Sequence, residues 1–86
     1  MLELQEQADQ ARQRAKVAQN SLTTLKGEMA AQGVGLRSDV LGAESRMSAL
    51  LWNAQRAIAI GDAVTAERDL ELTQYALAFV ENFLGR

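Results

Sequence analysis

The sequence predicts an all-α protein, a three-helix antiparallel (up-down-up) bundle with a long first helix and coiled-coil-like packing. Three observations predict it. Apolar residues recur at alternating four- and three-residue spacings along three consecutive segments, the repeat of a helix seam. Two short glycine-bearing connections, 33–35 and 60–62, separate the segments, and short connections set consecutive helices antiparallel. Proline is absent, so no helix meets an obligatory break. A chain of 86 residues makes one domain, 1–86.

The first helix is expected over residues 2–32. Its stripe is Leu4, Ala8, Ala11, Ala15, Ala18, Leu22, Leu25 and Met29, with alanine through the middle, so a facing helix can approach closely there. At 1.5 Å per residue it is about 45 Å long. Ser21 is a conceivable cap for a fresh start, and Thr23, Thr24 and Gly27 weaken the second half. One continuous helix is the expectation. It outlasts the second helix, so some two turns at its N-terminus should project, either as a frayed end or as a contact point for an upstream helix or a second copy.

Gly33 suits the left-handed position that ends a helix, and Gly35 the reversal that follows. The second helix is expected over 37–60 with the stripe Leu36, Val40, Ala43, Met47, Leu50, Ala54 and Ala57, widened by Leu51 and Ile58. Ser38 or Asp39 is the expected N-cap. Gly61 then ends this helix and Asp62 caps the third, expected over 62–84 with the stripe Ala63, Ala66, Leu70, Thr73, Leu77, Val80 and Leu84.

Composition removes much chemistry. There is no histidine and no cysteine, which takes away the usual zinc ligands, thiolate sites, nucleophile–histidine pairs and the neutral-pH proton shuttle. No catalytic, cofactor-binding or metal-binding residue is expected, and the chain reads as a non-enzyme without cofactors. Nine basic and eleven acidic residues leave a net charge of −2, which argues against a nucleic-acid binder. The longest apolar stretches, such as 72–80, fall short of the ~20 residues that span a bilayer, so direct membrane insertion is not expected. The start of the chain lacks the basic and apolar regions of a signal peptide. The chain reads as soluble, and its compartment, extracytoplasmic envelope or cytoplasm, is left open.

Residues 50–77 resemble a single tetratricopeptide-type helix–turn–helix. Leu50, Ala54, Ala57, Gly61, Ala66 and Leu70 fall where that motif places its packing residues, though its usual tyrosines and closing proline are missing and no second copy follows. The C-terminal half, with its Gly-Asp corner, spaced alanines and Phe-Leu-Gly-Arg ending (83–86), is similar to helical accessory segments of multidomain bacterial envelope and signalling proteins. That resemblance implies an accessory module without activity of its own.

Among the charged residues, Glu67, Asp69 and Glu71 read as a solvated face at the start of the third helix, where acids also complement the helix dipole. Arg12, Arg14 and Lys16 follow Glu6 and Asp9 without interleaved aromatics, so they read as spaced charges on an exposed helix. Two features point to a binding surface. Trp52 faces away from the seam amid Ser45, Ser48, Ala49, Gln55, Arg56 and Ala59, either as a binding hot spot or as a ring stacked on Arg56. The third helix carries a second stripe, Leu72, Ala76, Phe79 and Phe83, with Tyr75 nearby. Either it merges into one wide buried face or it meets a partner. The candidate interface is therefore Leu72, Tyr75, Phe79, Phe83, Trp52 and Arg56. The expected role is an interaction or assembly module that binds a different protein or a second copy in a homodimer. The alternative is a small apolar-ligand or sensor domain between alanine-rich helices.

Overall fold

Alanine decides how these helices meet. In the computed structural model, which describes residues 1–85, α1 spans Leu2–Ala31, α2 Ser38–Ala59 and α3 Ala63–Phe83, with no strand among the described residues. The Arg86 that closes the Phe-Leu-Gly-Arg ending lies outside them. The seam of α1 is buried through Ala8, Ala11, Ala15, Ala18 and Leu22, while Leu4, Leu25 and Met29 are half-buried at its ends. α1 is continuous through the Ser21–Gly27 region. Thr23 and Thr24 donate their hydroxyls to the carbonyls of Gln19 and Asn20 one turn back, so neither competes with the helical amides.

The three helices run along one axis of a rod 47 × 18 × 18 Å. α2 packs mainly against α3, and α1 lies across the pair. Larger side chains fill the hairpin side of the core: Val40, Met47 and Leu51 from α2, and Leu70, Leu77 and Val80 from α3. Polar pairs set the register of α1. Lys26 Nζ meets Glu44 Oε1 at 2.8 Å, and Gln19 donates to Ser48 at 2.7 Å, so α1 and α2 are antiparallel. Arg14 reaches α3, donating to Gln74 at 2.7 Å and pairing with Glu81 at 2.5 Å.

Both connections follow one design. Gly33 (φ 75°) and Gly61 (φ 81°) adopt the left-handed conformation, and the amides of the next residues, Val34 and Asp62, return to Met29 and Ala57 at 2.8 Å. Asp62 then accepts the Thr65 amide at 3.1 Å as the N-cap of α3.

Five expectations change. The N-cap of α2 is Arg37, without a side-chain cap; Asp39 instead accepts its neighbour Val40's amide and is chelated by the Arg37 guanidinium at 2.6 and 3.0 Å. Gly35 needs no special backbone conformation, because Gly33 alone makes the reversal. Ala63 is exposed and Asp69 is buried at 5%, since the buried face of α3 turns toward α2 and takes in 69 and 76 beside 70 and 77. The buried Asp69 carboxylate is met by Arg68 at 3.4 Å. At the start of α1, Leu4 is half-buried and packs against the core, and Met1, Glu3, Leu4 and Gln7 lie beside Glu67. The projection is therefore shorter than two turns.

Candidate functional site

The outer face of the α2–α3 hairpin, opposite α1, collects most of the sequence-derived candidates. On α2 this face combines the small residues Gly42, Ser45 and Ala49, three and four positions apart, with the larger Arg46 and Leu50. Arg46 folds back along α2 over Gly42, its guanidinium 3.4 Å from where a Cβ would stand, an ordinary contact distance. On α3 the corresponding residues are large. Leu72 is 43%, Tyr75 68% and Phe79 40% exposed, although each has apolar area to bury. An open groove of ≈ 570 Å³ runs between the two helices, walled by Arg46, Ala49 and Leu50 on one side and by Leu72, Tyr75, Ala76 and Phe79 on the other. Its floor, Ala76, is buried.

Trp52 stands on the far flank of α2, 59% exposed, in a shallow groove with Gln19, Glu44, Ser45, Ser48 and Ala49. Ala49 lines this groove and the α2–α3 groove alike, so the two form one surface across α2. The Arg56 guanidinium lies 5.5 Å from the Trp52 ring centre, a cation–π contact that holds the cation against the apolar ring. Phe83 is placed differently from the other candidates. It is half-buried, packs on the core, and carries Arg37 at 5.7 Å from its ring, so it closes the end of the bundle. The second stripe of α3 thus divides: Ala76 and Phe83 join the core, and Leu72, Tyr75 and Phe79 remain on the surface.

Ion pairing is uneven among the charged residues. Arg12, Arg14, Lys26, Arg37 and Arg68 each meet a carboxylate. Among the described residues, the cations without one are Lys16, Arg46 and Arg56. Lys16 lines the groove beside Trp52, Arg46 lines the α2–α3 groove, and Arg56 covers Trp52. Arg46 and Arg56 stand on α2, whereas Lys16 stands on α1 across the groove from Trp52. Glu67 and Glu71 are exposed on α3 and make no ion pair among the described residues; they share the side of α3 on which Gln74 meets Arg14 of α1, with Glu67 beside Leu4 and Gln7. Sequence spacing missed Arg46 and Leu50 as parts of the surface. Arg46 falls one turn before Leu50 on the side of α2 that meets α3, which a full helical wheel of α2 would have shown.

The described residues hold no group of three or more His, Cys, Asp or Glu placed to bind a metal. No described helix is long and apolar enough to cross a membrane. Comparison with known proteins gives no match to a family model, to a curated protein or to a solved structure.

Proposed function

We propose that this chain is a non-catalytic helical interaction module, an accessory part of a larger assembly, that works through the outer face of its α2–α3 hairpin. The observation that carries the reading is the exposure of Leu72, Tyr75 and Phe79 beside a buried groove floor, continuous across Ala49 with Trp52. Large side chains that the fold does not need to expose, next to small ones that leave space, suit packing against another helix. The groove is open along its length, which favours an elongated occupant over an enclosed small molecule.

The paired variant Leu72→Ser/Phe79→Ser tests the reading by far-UV circular dichroism, thermal unfolding and sedimentation. Helicity should be retained, with the Tm within a few degrees of the original, while association is lost. A collapse of helicity would show both residues to be core, and the interaction face would be abandoned.

A further inference from the structure

We infer that the occupant of this face is an amphipathic helix of a different protein, with carboxylates flanking its apolar side. The inference rests on reading the face as an interaction surface, and adds the partner's chemistry.

The chain as a whole carries a net charge of −2, yet the charge left on this face is positive. Arg46 walls the groove at the end away from the Gly61–Asp62 corner, and Arg56 stands on α2 over Trp52. Neither meets a carboxylate among the described residues. Arg68 precedes Leu72, Tyr75 and Phe79 by four, seven and eleven residues, the spacing of one side of a helix. It lies at about the same distance from the corner as Arg56, so these two guanidiniums flank the corner end of the face. The Arg68 side chain is 68% exposed, and its contact with Asp69, at 3.4 Å, is long for an ion pair. No free carboxylate offsets the three cations. Asp39 is chelated by Arg37, Asp62 is committed to the cap of α3, and Asp69 is buried. Glu44 meets Lys26 on the α1 side of α2, and Glu67 and Glu71 share the α1 side of α3 with Gln74.

An apolar groove with arginines at both ends suits a helix that carries apolar residues between carboxylates. Arg46 and Arg56 are about 15 Å apart along α2, or about three turns of an incoming helix. All three cations are arginine, whose guanidinium fork takes a carboxylate through two parallel hydrogen bonds. Apolar side chains of the occupant would fill the groove over Ala76, between Leu50 and Leu72. A second copy laid face to face is disfavoured, because it would set arginines against arginines with no free carboxylate to receive them. A flat anionic bilayer would meet the arginines and leave the concave groove unfilled.

The test is fluorescence anisotropy of a labelled, capped helical peptide titrated with the full chain. The peptide is alanine-based and about twenty residues long, with leucines between two glutamates about three turns apart. Its twin carries lysine at both glutamate positions. The acidic peptide should bind at least about tenfold more tightly than its twin at low salt, and the difference should shrink as salt rises. Arg46→Glu and Arg56→Glu should each weaken the acidic peptide at least about tenfold, and the paired variant should prefer the lysine twin. Both residues are exposed, and the comparison of the two peptides on the original chain needs no variant at all. No binding of the acidic peptide, equal binding of the twins, or indifference to the reversals would each overturn the acidic helix. So would retention of the chain on vesicles of phosphatidylserine and phosphatidylcholine at concentrations where the acidic peptide does not bind. If the twins bind equally and Leu72→Ser/Phe79→Ser abolishes both, the interaction face stands and the partner's charge alone fails.

Discussion

At the scale of single residues, the Gly61–Asp62 corner couples backbone sterics to charge. Gly61 takes a φ that a side chain would resist, and this aims the next residue, Asp62, at the free amides of α3. The hydrogen bonds from the Thr65 hydroxyl and amide hold the Asp62 carboxyl below its usual range, with the nearby Arg68 charge adding to this. The folded pKa therefore lies below the unfolded one. The stabilisation is present above the unfolded value of about 3.9 and is lost as pH falls through the depressed folded value. Asp62→Asn keeps a capping oxygen and removes the titration. Its Tm should fall less steeply than the original's between about pH 5 and pH 2. Melts that remain parallel over that range would show that the carboxylate contributes nothing as a charge. This corner was legible in the sequence because glycine and aspartate each have one common use at that position. The cap of α2 was not legible. Ser38 and Asp39 both have capping side chains, but Arg37 chelates the Asp39 carboxylate and so holds it at the start of the helix. No local propensity encodes that competition.

At the scale of the element, α1 is specified by what it lacks. Its buried stripe holds methyl groups over most of its length, and Ala11 and Ala18 are fully enclosed. Ala18→Leu should therefore destabilise by about 1–3 kcal/mol through overpacking, despite leucine's comparable helix propensity and larger apolar area. Chemical denaturation measures it. A gain in stability would mean that α1 stands farther from the hairpin than its seam implies. Helix number, order and limits were legible because the four–three alternation is uninterrupted between glycines. The breadth of each buried face was not. The narrow seam of α3 left Asp69 among the solvated acids, yet α2 packs mainly on the side where 69 and 76 lie. A periodicity fixes which residues share a face, whereas the weight of each neighbour decides where that face is centred. The same argument covers the second stripe. Spacing grouped Leu72, Ala76, Phe79 and Phe83, and only the position of α2 separates the two that are covered from the two that are not.

At the scale of the molecule, the two halves of the core differ in strength. The hairpin buries Met47, Leu51, Leu70, Leu77 and Val80, while α1 adds alanines and Leu22. At about 0.8 kcal/mol per buried methylene, the α1 side contributes much less per turn. Its links to the hairpin through Arg14–Glu81 and Lys26–Glu44 leave both cations substantially exposed. Exposed pairs of this kind add at most about 1 kcal/mol each. α1 should thus be the element that opens first, as a unit, with the hairpin retaining its groove. Native-state hydrogen exchange resolves this: amides in the middle of α1 should exchange at least about tenfold faster than those around Met47 and Leu77. Equal protection in all three helices would show one cooperative unit, and alanine packing would then be as effective as the larger side chains of the hairpin.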